Sequence, residues 1–163
     1  MKVNDYSAEL IVASRFAEAG WNIYFPHRDE GFDFIVSKTV EGVGEVIRPV
    51  QVKGKYPTDV KTDKATYGYM GVLSKVHPEM VLAMPFLNPI SNAAPIFIAY
   101  LPMTMVRPCA KGYRCHPATF KNGSPRIRRD YAKFFDDSGL MLLELINWKD
   151  SGAGLVNDTD GEE

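Results

Sequence analysis

Cysteine is almost absent: Cys109 and Cys115 are the only two in 163 residues, and CAKGYRC puts five residues between them. That spacing completes neither a CxxC redox pair nor a four-ligand zinc site, so both are read as free thiols. Long hydrophobic runs are missing too. No apolar stretch approaches the ~18 residues of a membrane span, and MKVNDYSAE meets acidic residues before any signal-peptide core. The expectation is a soluble, cytoplasmic protein with no membrane partner. Nor is there an excess of one charge: 19 basic and 20 acidic side chains leave −1, which argues against binding nucleic acid through bulk positive charge. The G-x-S-x-G nucleophile elbow, the Walker loop and the dinucleotide-binding glycine loop do not occur, which counts against ATPase, kinase and nicotinamide-enzyme chemistry. His77 and His116 are isolated; His27, near Asp29, Glu30 and Asp33, is an auxiliary candidate at most.

What the chain does have is 45% hydrophobic and 12% aromatic residues, enough for one domain with a substantial core and too little for two. Residues 1–149 are read as that domain and 150–163 as an acidic, mobile tail. The near-neutral total conceals strong segregation of charge. Residues 107–133 hold eight basic side chains against Asp130 alone, while residues 134–163 hold one basic and eight acidic. A surface able to attract a polyanion is compatible with that pattern.

Ala8, Ile11, Val12, Phe16 and Ala19 recur at helical spacing, so Ser7–Ala19 is expected to be an amphipathic helix stopped by Gly20. Strand composition follows at Trp21–Phe25, Phe32–Ser37 and Glu45–Val52, the last two joined by the VEGVGE turn. Met80–Met84 and Ile96–Tyr100 are further strands, separated by the proline-rich PFLNPISNAAP. Asp59–Val76 is ambiguous, with Val72, Leu73 and Val76 able to cover a sheet. Arg128–Phe135 reads as a short helix, and Leu140–Ile146 as a helix or an edge strand. The sum is a mixed α/β fold.

Within it, GFDFIV and IRPVQVKGK carry the chemistry. Gln51 and Lys53 lie two apart, so strand alternation gives them one face, while Val50 and Val52 take the other and pack. If Asp33 in the preceding strand pairs alongside, a carboxylate, an amide oxygen and an ammonium share one sheet edge. Asp33 and Gln51 can offer oxygen to a hard divalent cation, and Lys53 can orient water or stabilise negative charge on a phosphate.

With AELIVASRFAEAGW, GFDFIV and VQVKGK in helix–strand–strand order over about residues 6–100, the chain resembles the PD-(D/E)XK nuclease superfamily, especially its small Holliday-junction-resolvase-like and restriction-endonuclease-like members. The resemblance implies a restriction-endonuclease-like mixed central β-sheet flanked by helices and divalent-metal-dependent cleavage of nucleic-acid phosphodiesters. It gives Glu9 the place of the acidic residue on the first helix, Asp33 that of the motif aspartate, Gln51 that of the second acidic residue and Lys53 that of the motif lysine. Mg2+ or Mn2+ held by Glu9, Asp33 and Gln51 is the implied cofactor, and a homodimer the implied assembly. Two departures stand out: Phe32 replaces the motif proline, and Gln51 replaces Asp or Glu, which removes one negative charge from the cation site.

The expected function is therefore a metal-dependent DNA endonuclease, with RNA as a further substrate. Lys55, Tyr56, Lys61 and Lys64 follow the motif and, with Arg126, Arg128 and Arg129, are candidates for nucleic-acid contact through charge and stacking. The alternative is a noncatalytic nucleic-acid-binding or protein-interaction domain that keeps the fold.

Overall fold

Ala8, Val12, Ala13 and Phe16 repeat at three- and four-residue spacing, and this stripe is the buried face of α1 (Asp5–Glu18). Gly20, at φ 86°, ends the helix and turns the chain back, so that Trp21 meets Phe16 edge-on with ring centroids 5.9 Å apart. The computed structural model describes residues 5–28, 31–55, 69–87, 95–121 and 124–152. After α1 come β1 (Asn22–Tyr24), β2 (Phe34–Val40), β3 (Gly44–Val52), β4 (Tyr69–Gly71), β5 (Val81–Leu87) and β6 (Pro95–Pro102). Then follow β7 (Arg107–Cys109), β8 (Gly112–Arg114), β9 (Ala118–Lys121), β10 (Ser124–Ile127) and α2 (Asp136–Leu142).

A mixed central sheet organises the chain, in the order β1-β2-β3-β5-β6. Its first three strands form the antiparallel meander expected from their alternation. The β3–β5 pair is parallel and the β5–β6 pair antiparallel. Every residue of β5 (VLAMPFL) is buried, as a central strand covered on both faces requires. On one face Phe34, Val36, Val50, Val81, Ala83 and Tyr100 pack with α1, Leu140 of α2 and Trp148. On the other, Leu82, Met84, Phe86 and Leu101 pack with Cys115, Ala118, Phe134 and Phe135. The two helices thus lie on the first face, and the segment after β6 covers the second.

That covering segment is where the structure departs most from the sequence reading. Residues 107–127, to which the sequence reading assigned no element, form β7 to β10: β7 and β8 join β4 in one small sheet, and β9 and β10 make another. Their strands are three or four residues long, too short for an alternation to register. Near the end of the chain, a 3-10 turn occupies Arg129–Phe134 and α2 begins at Asp136 rather than Leu140. A glycine inside this helix hides the pattern, yet it is required: a Cβ on Gly139 would lie 2.2 Å from the Phe134 carbonyl oxygen. Of the three residues read as a possible sheet cover, Leu73 is buried whereas Val72 and Val76 are exposed. Among the described residues no helix is long and apolar enough to cross a membrane.

Candidate active site

Asp33 stands one residue ahead of β2, not inside it, and β3 holds it from two directions. Its backbone N–H donates to Val50 O at 2.9 Å, and its Oδ2 accepts from Val52 N at 2.5 Å. The carboxylate is therefore fixed against the β3 backbone at the step between Gln51 and Lys53. A charge-assisted bond of this kind is stronger and more directional than a neutral one, so the carboxylate position is set by the strand.

The parallel register fixes the faces. Val50, Gln51 and Val52 pair with Val81, Leu82 and Ala83, and Lys55 bridges to Phe86 at the same offset. Past the formal end of β3 the pairing persists, with Lys53 N donating to Ala83 O and Lys55 N to Pro85 O. Because register partners point the same way, Gln51, Lys53 and Lys55 share the face of Leu82, Met84 and Phe86. Val50 and Val52 pack on the α1 side, as alternation requires. Gln51 is only 7% exposed, and its buried Oε1 has no hydrogen-bond donor among the described residues. Lys53 is half-buried.

Lys55 lies inside the fold rather than on an open basic surface, at 6% exposure. Burial pushes its ammonium down to about 8; Cys115 opposes that shift and the neighbouring Lys53 adds to it. Cys115, 4% exposed, couples electrostatically to this lysine, and burial pushes its thiol up to about 12. Both cysteines are free, as their spacing suggested.

Glu9 approaches from elsewhere. It is half-buried on α1, beside the apolar stripe that packs on the Val50–Val52 side, so it and the Gln51–Lys53 pair belong to opposite faces of β3. Asp33 sits just ahead of β2, an interior strand between β1 and β3, beside the step between Gln51 and Lys53. His27 is exposed, ahead of Asp33 in the chain. Tyr56, Lys61 and Lys64 lie outside the described residues. Arg126 and Arg129 are exposed, whereas Arg128 is half-buried and donates from Nη1 to His116 O at 3.1 Å.

The residues present suit a hard divalent cation in one specific respect. A buried amide oxygen without a donor costs about 1–3 kcal/mol of lost solvation, and a cation facing it removes that cost. Gln51 Oε1 is such an atom, on the strand that holds the Asp33 carboxylate. Among the described residues no group of three or more His, Cys, Asp or Glu side chains gathers to hold a metal. No protein-family model, curated protein or solved structure matches this chain.

Sequence reasoning missed the reach of the Gln51 face. Q-V-K-G-K alternates for three residues beyond the strand boundary at Val52, and that signal was enough to assign Lys55 to the same row as Gln51 and Lys53. Its burial carried no sequence signal, because the cover is supplied from about sixty residues further along the chain.

Proposed function

We propose that this protein is a divalent-metal-dependent endonuclease that hydrolyses DNA phosphodiester bonds on a restriction-endonuclease-like sheet. The observation that carries the reading is a single constellation. An aspartate is clamped to the β3 backbone, a buried glutamine oxygen with no donor among the described residues lies on that strand, and a lysine shares the glutamine's face. Asp33 and Gln51, with Glu9 from α1, are the oxygen donors proposed for Mg2+ or Mn2+. When bound, such a cation offsets the negative charge that builds on the phosphate. Val52 N–H keeps the Asp33 carboxylate from rotating away, and Lys53 orients the attacking water or holds a non-bridging phosphate oxygen. A homodimer is proposed with this reading, since two sites related by symmetry address two strands; a monomer by native mass analysis at working concentration removes that part.

The test is cleavage of duplex, single-stranded, flap and four-way-junction DNA and of RNA, with Mg2+ or Mn2+, by the wild type, Asp33→Ala and Lys53→Ala. The expected outcome is cleavage by the wild type that falls at least about 100-fold in either variant while folding is retained. The amide at Gln51, where a carboxylate would bind a cation more strongly, favours a second reading as a noncatalytic nucleic-acid-binding or protein-interaction domain. Absence of metal-stimulated cleavage on every substrate decides for that second reading.

A further inference from the structure

On the α1 side of the sheet, a cavity of about 250 Å³ opens between the last turn of α1, the edge strand β6 and the start of α2. Four charged side chains line it, all of them exposed: Arg15 and Glu18 from α1, Asp136 and Asp137 from α2. Ile98, Tyr100 and Leu140 are the buried side chains of the same lining and belong to the core on this face. Arg15 Nη1 donates to Glu18 Oε2 at 3.2 Å, so those two charges cancel. Asp136 and Asp137 have no ion-pair partner among the described residues, and the cavity keeps their two negative charges.

Tyr100 gives a second and independent sign of a ligand. The side chain is 1% exposed, with its ring edge-on to Phe16 at a centroid distance of 5.4 Å. Its hydroxyl nevertheless makes no hydrogen bond among the described residues, whereas a buried tyrosine hydroxyl ordinarily finds a partner. The charges that act on this hydroxyl show where it points: they are Asp136, Arg15, Asp137 and Glu18, the four that line the cavity. Burial raises the phenol pKa above its ordinary value and Asp136 adds to the rise, so the hydroxyl stays protonated and keeps a lone pair to offer. Asp136 is fixed in place, its Oδ1 accepting from Ile98 N at 3.0 Å.

Two carboxylates and a phenol oxygen form a set of acceptors that lacks donors. A metal ion is a poor match, because no three His, Cys, Asp or Glu side chains among the described residues gather to ligate one. An ammonium group supplies three N–H donors and a positive charge, and its methylenes can lie on Ile98 and Leu140. The volume is below the roughly 300–1,000 Å³ of pockets for drug-sized ligands, which suits a chain of a few carbons. We infer that this cavity is a binding site for a primary alkylammonium group, with Asp136, Asp137 and the Tyr100 hydroxyl as its acceptors. The site lies on the opposite face of the sheet from Gln51 and Lys53 and is independent of the proposed nuclease reaction.

The experiment is calorimetric titration of the full chain, at about 20 mM salt to limit screening, with 1,5-diaminopentane, Nα-acetyl-lysine N-methylamide and tetramethylammonium. The two primary amines are expected to bind, and tetramethylammonium, which has the charge without the N–H donors, at least about 10-fold more weakly. Tyr100→Phe removes a hydroxyl that no part of the described fold uses, so the unfolding midpoint is expected to hold while amine affinity falls about 5–10-fold. Asp137→Asn, at an exposed position, is expected to lower it by about 10-fold. Glu45→Gln, an exposed carboxylate on β3, controls for net charge and leaves the affinity as it was. Tighter binding of the diamine identifies a free polyamine as the natural source and tighter binding of the blocked lysine a lysine side chain; either supports the site. No saturable amine binding up to about 10 mM overturns it, as does an affinity unchanged in both Tyr100→Phe and Asp137→Asn. Tetramethylammonium binding as tightly as the primary amines overturns it as well.

Discussion

A glutamine oxygen buried with no donor among the described residues is either a standing cost or half of a metal site, and one substitution separates the two. Gln51→Leu keeps the approximate volume and removes the oxygen. In EDTA the variant is expected to be at least as stable as the wild type, by up to about 2 kcal/mol, because no acceptor is left unsatisfied. With millimolar Mg2+ or Mn2+ the wild type gains thermal stability, and Gln51→Leu loses most of that gain. An identical metal-induced shift in both proteins removes Gln51 from the ligand set. Lys55 gives a second measurable effect through pH. Its folded pKa of about 8 lies below the ordinary 10.5, so between those values the unfolded chain keeps a proton that the folded protein has released. The penalty of burying this charge is therefore full below about pH 8 and fades as pH rises towards 10.5. Lys55→Met is expected to be more stable at pH 7 by on the order of 1–3 kcal/mol, a gap that closes by about pH 10.5 in urea titrations.

Between the elements, Arg48 of β3 ties the sheet to the end of α2. It is 2% exposed, and its Nε donates to Leu143 O at 2.9 Å and its Nη2 to Leu145 O at 2.8 Å. Leu143 is the C-terminal cap residue of α2, so the guanidinium caps the helix from the sheet at Leu143 O and adds a second donor to Leu145 O, which Trp148 N also reaches at 3.2 Å. Its Nη1 donates to Glu79 Oε2 at 2.5 Å, its plane lies 5.0 Å from the Trp148 ring centroid, and Glu79 is held in addition by Lys149 at 3.0 Å. Arg48→Ala removes the guanidinium donor from Leu143 O, leaves Leu145 O with only its bond from Trp148 N, and strips Glu79 of a partner, and is expected to cost about 2–4 kcal/mol in chemical denaturation. Arg48→Lys recovers less than half of this, because one ammonium cannot span the three acceptors. Cooperative unfolding with an unchanged midpoint in Arg48→Ala contradicts the capping role.

Over the whole molecule, a net charge of −1 joins a strongly basic stretch to an acidic end. Residues 153–163 contain four acidic and no basic side chains, so ending the chain at Gly152 changes the formal charge from −1 to +3. DNA binding by that shorter chain is expected to be tighter than wild type at 50 mM salt. The difference should shrink markedly by 0.3 M, where the screening length is well below 10 Å. A salt-independent difference in anisotropy titrations would mean that the acidic end acts by contact rather than by long-range field.

Local periodicity determined much of this protein. The Ala8–Phe16 stripe specified α1, alternation specified the β2–β3 hairpin, and the Q-V-K spacing put Gln51 and Lys53 on one face, because each depends only on residues a few positions apart. The clamp between Asp33 and Val52 was legible to the extent that adjacent antiparallel strands bring their ends together. Only the tertiary structure decided the rest. The parallel pairing of β3 with β5 spans about thirty residues and sets which side of the sheet receives the Gln51–Lys55 row. The segment after β6 then covers the face that carries Lys55 and brings Arg107, Arg114 and Arg128 around one cleft. No window of sequence contains that information, since burial and charge clustering arise from contacts between distant segments whose cost and benefit exist only once the layers have packed.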